Sequence, residues 1–165
     1  MEHLWSSWRM SYIMMSDRED ECIFCNALDQ PDGPENLIVH RGQSAYVILN
    51  RYPYTSGHLM VVPFEHYTSI EQSDPSTRFE LMELTTQCIR ILRSIYQPQG
   101  FNIGANIGDA AGAGIPRHFH MHIVPRWTGD TNFMSTLGGT RVIPEALLIS
   151  YQRLKKAWKA MNNQV

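Results

Sequence analysis

The sequence predicts an α+β domain: antiparallel strands, one long helix set among them, and a second helix at the end. Three observations carry that expectation. Two short β-branched and aromatic runs lie close together, a long stretch follows with helical period, and a histidine run then alternates with apolar residues.

Ala45-Tyr46-Val47-Ile48-Leu49 reads as a strand, and His58-Leu59-Met60-Val61-Val62, stopped by Pro63, reads as the next. The connection from Arg51 to Gly57 has a length that suggests an antiparallel pair. Leu81, Leu84, Cys88, Ile91, Leu92 and Ile95 recur at three- and four-residue steps, which predicts an amphipathic helix over 76–97. Ser73 or Asp74 can cap it, with Pro75 near its first turn. Phe101–Asn106 has strand character, and the glycine-rich stretch 108–117 ends near Pro116. Phe119, Met121 and Ile123 alternate with three histidines, so 118–124 is expected to be a strand with two different faces. Leu147, Leu154, Trp158 and Met161 lie close to helical register and predict a last helix over about 144–161. Residues 1–36 are mixed, with a loop at Asp29-Gln30-Pro31-Asp32-Gly33-Pro34. Chains of roughly 100–200 residues usually form one core, so residues 1–165 are expected to be a single domain.

A net charge of -2, from 14 basic and 16 acidic residues, argues against a binder of nucleic-acid polymers, which usually carries a basic face. No run of about 18 apolar residues is present to span a membrane. The start, Met1-Glu2-His3-Leu4-Trp5, lacks the basic-then-apolar order of a secretory signal, and a cytoplasmic protein is expected. Of the three cysteines, Cys88 falls on the apolar helix face and reads as core. Cys22 and Cys25 form a CxxC pair whose alternatives are metal binding, redox chemistry or burial.

The run His118-Phe119-His120-Met121-His122 carries the chemistry. Alternate residues of a strand share one face about 6.5–7 Å apart, so the outer histidines would stand roughly 13 Å apart, too far to share one metal. A two-histidine metal site stays feasible, as does a surface cluster with no function. Imidazole is also a good nucleophile toward phosphorus near neutral pH, because much of it is unprotonated and it leaves again easily. In that reading the middle histidine attacks, while its neighbours orient it or meet phosphate oxygens.

His118-Phe119-His120-Met121-His122-Ile123-Val124 resembles the His-φ-His-φ-His-φ-φ signature of the histidine-triad superfamily. Leu49-Asn50 and Gly57-His58-Leu59-Met60-Val61-Val62-Pro63 look like its ribose-binding strand and the strand after it. Pro125-Arg126-Trp127-Thr128-Gly129-Asp130 is similar to the fragile-histidine-triad branch and to bacterial diadenosine tetraphosphate phosphorylases. Similarity to the latter group also takes in Trp5-Ser6-Ser7-Trp8-Arg9-Met10, Leu49-Asn50-Arg51-Tyr52-Pro53-Tyr54 and Asn132-Phe133-Met134. The resemblance implies an antiparallel sheet of about five strands with one long central helix and a C-terminal helix. It implies His120 as nucleophile, His122 as a phosphate contact and His58 behind the triad. Asn50 would meet a ribose hydroxyl and Asn106 the phosphates, with turn or capping roles as the plainer alternative for both. Many members carry glutamine and a hydroxyl ahead of the first histidine. Here Ala111-Gly112-Ala113-Gly114-Ile115-Pro116-Arg117 stands instead, so N–H groups at Gly112 and Gly114 could bind phosphate, or the glycines could simply permit a turn. Arg117 could add charge.

Some similar proteins complete a zinc site with a histidine after the second strand and the first triad histidine. The matching positions are His66 and His118, which with Cys22 and Cys25 would make a closed, structural site; two unligated buried thiols are the alternative. No organic cofactor is expected. Ile23, Phe24, Tyr46 and Leu49 are candidates for an apolar slot around adenine, or for plain core. Trp127 could cover a nucleotide or a dimer partner, Arg126 could meet phosphate or form a structural ion pair, and Lys155, Lys156 and Lys159 read as a solvated helix face. The activity the resemblance implies is cleavage of a dinucleoside polyphosphate, diadenosine tetraphosphate in the first instance, by a homodimer using phosphate or water as acceptor. A nucleoside phosphoramidate hydrolase, a non-catalytic nucleotide-binding protein, and a metal-dependent hydrolase using His118 and His120 are the competing readings.

Overall fold

The computed structural model describes residues 22–130 and 145–163. The expectations for Trp5–Met10 and Asn132–Met134 lie outside the described residues. Along the chain run helix α1 (Ile23–Leu28), strands β1 (Ile38–Arg41), β2 (Ala45–Leu49) and β3 (Leu59–Pro63), helix α2 (Pro75–Tyr96), strands β4 (Gly100–Gly104) and β5 (Met121–Arg126), and helix α3 (Leu147–Asn162). The five strands form one antiparallel sheet in the order β1-β2-β3-β5-β4, the expected α+β arrangement.

β2 and β3 are buried along their whole length because both sheet faces are covered. On one face lies α2, which buries Leu81, Leu84, Cys88, Ile91 and Leu92 at the expected helical spacing. Asp74 caps it, its carboxylate accepting from the N–H groups of Ser76 and Thr77, and Pro75 opens the first turn where no N–H is needed. Gln97, in the left-handed region at φ 48°, ends it. α3 completes this layer and reaches the sheet edge at β1. There Trp158 stacks on His40 with ring centroids 4.7 Å apart, and the Tyr151 hydroxyl donates to the Ile38 carbonyl at 3.4 Å.

The other face carries α1 and the loop into β1. The Tyr46 hydroxyl donates to the Phe24 carbonyl at 3.0 Å, fastening α1 to β2. Asn36 is buried with its side chain saturated. Its oxygen accepts from Gly33 and Ile38 N–H, and its amide donates to the carbonyls of Ala27 and Gln30. These bonds hold the next residue, Leu37, in the left-handed region at φ 61°, a conformation that a leucine adopts only when its surroundings dictate it.

The structure differs from the expectations at several boundaries. α1 and β1 occupy stretches where the residue pattern alone assigned no element. β4 stops at Gly104, so Asn106 lies beyond it. The histidine strand was expected from 118, yet regular pairing in β5 starts only at Met121. The cause is local: the Phe119 N–H donates to the Tyr67 carbonyl at 2.7 Å, outside the β3 ladder. Lys155 is not purely solvated, since its ammonium donates to the Ile38 carbonyl at 3.2 Å and pairs with Asp32 at 3.5 Å.

Gly57 links this framework to the histidines, because it directly precedes His58. Its φ is 78°, and a Cβ there would meet Leu92 Cδ2 and Tyr96 Cε2 at 2.9 Å each. Gly57→Ala should therefore lower stability by about 2 kcal/mol or more, from backbone strain and overpacking together. Urea denaturation followed by far-UV circular dichroism would measure it.

Candidate functional site

The sheet register assembles the site. Ile48 pairs with Met60, Met60 with His122, and His122 with Gly104, so one row crosses four strands on the face opposite α2. On that face lies a cavity of about 290 Å³ whose walls include Ile23, Phe24, Leu37, Ile48, Leu49 and Met60. His120 and His122 close one end of it, and Asn50, Asn106, Gly114 and Ile115 also reach it. Phe24 covers the histidines directly, with its ring centroid 4.9 Å from that of His120 and 5.5 Å from that of His118. Of the four residues considered for an apolar slot, Ile23, Phe24 and Leu49 line the cavity, whereas Tyr46 is fully buried beneath α1.

The hydrogen bonds define which nitrogen of each imidazole carries its proton, because their far partners are one-way groups. A carbonyl only accepts, so His120 Nδ1–H donates to the His118 carbonyl at 2.8 Å and leaves Nε2 bare. A backbone amide only donates, so His58 Nδ1 accepts from the Tyr54 N–H at 3.1 Å. His58 then carries its proton on Nε2 and donates it to His122 Nδ1 at 3.0 Å, which leaves His122 with an Nε2–H. His58 is wholly buried and His120 nearly so. Burial, with the His120 charge as a second cause, brings the pKa of His122 down to about 4. Burial also lowers that of His120, against the opposing effect of its bond to the His118 carbonyl. Both rings are therefore neutral at pH 7.

The glycine-rich approach divides. Gly112 has φ 77° and ends a 3-10 turn, Asp109–Ala111, with its N–H engaged by the Asp109 carbonyl at 2.9 Å. In this conformation that N–H is engaged within the turn. Gly114 lies at the cavity, and Arg117 is exposed. Arg126 takes the structural option. Its guanidinium pairs with both carboxylate oxygens of Asp130 at 2.6 and 2.7 Å. Trp127 is half-buried next to this pair.

Beside the cavity, Cys22, Cys25, His66 and His118 bring their ligand atoms within 4.8 Å of one another. Cys22 Sγ lies 3.2 Å from His118 Nδ1, Cys25 Sγ 3.6 Å from the same nitrogen and 3.3 Å from His66 Nδ1. A tetrahedral ion with bonds of about 2.0–2.3 Å needs ligand separations of roughly 3.5 Å, so the four fit one. His118 Nε2–H donates to the Pro63 carbonyl at 3.1 Å, which turns its bare Nδ1 toward the thiols. Burial and the adjacent Cys22 thiol push the Cys25 thiol up to about 11, a proton that a bound cation would displace. His118 thus joins this Cys/His cluster, which could hold a metal ion, and is not among the residues that line the cavity, although its carbonyl holds His120.

Residues 31–129 match the HIT domain family. The chain is 36% identical to the AP-4-A phosphorylase of Mycobacterium tuberculosis over 96% of its own length and 85% of that protein's. It belongs to the HIT family. Another relative of this HIT protein is an HIT-like protein of Saccharolobus solfataricus, 31% identical over 68% of this chain and 79% of that one. Among solved structures, a Zn-bound histidine triad family protein from Mycobacterium smegmatis superposes with a TM-score of 0.70 at 25% identity, covering 88% of this chain and 98% of the other. A histidine triad nucleotide-binding protein from Sulfolobus tokodaii gives the same TM-score at 23% identity, covering 87% and 96%, a likeness of fold.

Sequence reasoning on this HIT protein missed several site residues. Ile48 and Met60 enter through sheet register, for which strand alternation opposite His122 was the available signal. Asn36, Leu37 and the Tyr54 amide enter through loop hydrogen bonds that have no signature in residue spacing.

Proposed function

We propose that this HIT protein cleaves dinucleoside polyphosphates, with diadenosine tetraphosphate as substrate, through a nucleotidyl intermediate on His120. The observation that carries this reading is the opposite proton placement on two adjacent histidines facing one cavity. His120 offers a bare Nε2, and His122 offers an Nε2–H.

The lone pair of His120 Nε2 attacks the phosphorus next to the bound nucleoside, forming an N–P bond as the P–O bond to the remaining polyphosphate breaks. That leaving group departs as a stable anion and needs no proton in the first step. The His118 carbonyl stabilises the positive charge that develops on the His120 ring, and His122 Nε2–H donates to a phosphoryl oxygen. Inorganic phosphate or water then attacks the same phosphorus, the N–P bond breaks, and neutral His120 returns. His58 keeps His122 oriented. Asn50 and Asn106 bind ribose hydroxyl and phosphate, Gly114 approaches the phosphates, and Ile23, Phe24 and Leu49 hold the base. Zinc on Cys22, Cys25, His66 and His118 would be structural, with all four positions filled. The name of the 36% identical relative supports phosphate as acceptor.

A homodimer belongs to the same reading. β4 is an end strand of the sheet and exposes Ile103, while α2 exposes Phe79 and Met82. Cytoplasmic residence also belongs to it, supported by the unpaired cysteines. No described helix is long and apolar enough to cross a membrane.

Incubation with diadenosine tetraphosphate, with and without inorganic phosphate, tests the activity by chromatography of the products. Phosphate-dependent ADP plus ATP is expected. AMP plus ATP without phosphate dependence would make water the acceptor, and no turnover under either condition would sink the reading.

A further inference from the structure

We infer that the loop between β2 and β3 fixes the proton on His122, with the Tyr54 amide and the Asn50 side chain acting together as a tautomer lock through His58. Asn50 is then a positioning residue for the reaction as well as a nucleotide contact. The inference rests on the reading of His122 as a phosphate donor, and it adds what makes His122 one.

The orientation of Asn50 is decided by its own turn. Its Oδ1 accepts from the Tyr52 N–H at 2.9 Å, two residues on, so its Nδ2 must face the other way. There it stands 3.3 Å from His58 Nδ1, the same nitrogen that accepts from the Tyr54 N–H at 3.1 Å. Two donors therefore converge on one lone pair. A proton at His58 Nδ1 would face both N–H groups at once, in a site where His58 has no exposure to water. Its proton is held on Nε2, aimed at His122 Nδ1 at 3.0 Å. His122 Nδ1 is in turn occupied as an acceptor, and its only proton is on Nε2.

The lock has a chemical consequence. To become imidazolium, His122 would need a second proton at Nδ1, directly against the His58 Nε2–H. The loop thus holds His122 as a neutral donor throughout the cycle, which suits a polyphosphate leaving group that departs unprotonated. The Tyr54 ring reinforces the arrangement, lying 4.6 Å from the His58 ring and 6.1 Å from the His122 ring between centroids. Gly57, at φ 78°, closes the same loop against α2 and so sets the height of His58.

Long-range proton–nitrogen correlation NMR on the full chain with labelled histidine reads the tautomers directly at pH 7, without substrate. His58 and His122 should both be Nε2–H tautomers. His122 as an Nδ1–H tautomer, or as imidazolium, would overturn the proposal whether or not the protein turns over diadenosine tetraphosphate. In Asn50→Ala one of the two donors is gone. The His58 and His122 signals should move toward mixed tautomers, and kcat should fall about tenfold, the worth of roughly one hydrogen bond. A variant with unmixed tautomers and a raised KM alone would make Asn50 a ribose contact only, and that part of the lock would be wrong. Tyr54→Pro deletes the other donor, and circular dichroism is used to check that it folds. A folded Tyr54→Pro variant with wild-type tautomers would equally count against the lock.

Discussion

Replacing His120 by alanine is expected to lower kcat for diadenosine tetraphosphate by at least about a thousandfold, because the residue forms the covalent bond itself and no neighbour can substitute. His118 points its bare nitrogen toward the cysteines, and the bare nitrogen of His122 is occupied by His58. Alanine also removes a nearly buried ring that packs on Phe24, so some stability is lost with it. His120→Asn separates the two effects. Its side-chain amide can still donate to the His118 carbonyl and fill part of the volume, yet it offers no nucleophilic nitrogen. Both variants should be inactive, with the asparagine form melting closer to the wild type. Quenching the wild type during turnover in alkaline denaturant, where a histidine N–P bond survives, should trap up to one nucleotide per chain on His120, read by peptide mass spectrometry. An active His120→Asn protein, or a trapped nucleotide on another residue, would refute the mechanism.

The long helix α2 was legible in the sequence because burial at 3.6-residue period leaves a strong pattern, and its start was marked by Asp74 and Pro75. The β2–β3 pair was legible for the same kind of reason. β1 was not, since four residues, Ile38-Val39-His40-Arg41, are too few to establish alternation. The histidine run was legible as an alternating segment, and its His120 and His122 line the cavity. Its geometry at His118 was not, because Phe119 pairs with Tyr67 and not with the neighbouring strand. The Cys/His cluster needed the resemblance: Cys22 and Cys25 announce themselves by spacing, whereas His66 and His118 join them only through the fold. Nothing in residue identity could reveal that Asn50 turns its amide toward His58, for that depends on one loop N–H.

Removing the metal is expected to lower both stability and activity, in contrast to His120 substitution. Four ligands would close the coordination sphere, so the ion has no place for water and cannot take part in the chemistry. What it would do is mechanical. Cys22 stands at the N-cap of α1 and Cys25 in its first turn, Phe24 of the same turn covers His120, and His118 supplies the carbonyl that holds the His120 proton on Nδ1. Without the ion, α1 keeps bonds from the Tyr46 hydroxyl, the Asn36 amide and the Arg41 guanidinium among its polar ties, and the His118 backbone loses an anchor. Purified protein should contain about one zinc per chain by plasma emission spectrometry, and cobalt substitution should give the visible bands of tetrahedral coordination. Chelation, or Cys25→Ser, should cost about 3–5 kcal/mol, or roughly 10 °C in Tm, and should reduce kcat as Phe24 and His120 lose their settings. A catalytic metal on His118 and His120 makes the opposite forecast: chelation abolishes turnover while Tm stays put. His120 stands against it, since its Nδ1 is committed to the His118 carbonyl and its Nε2 lies at the cavity, away from the thiols. Melting curves and turnover recorded on the same chelated sample therefore separate an ion that holds the nucleophile in place from one that performs the reaction.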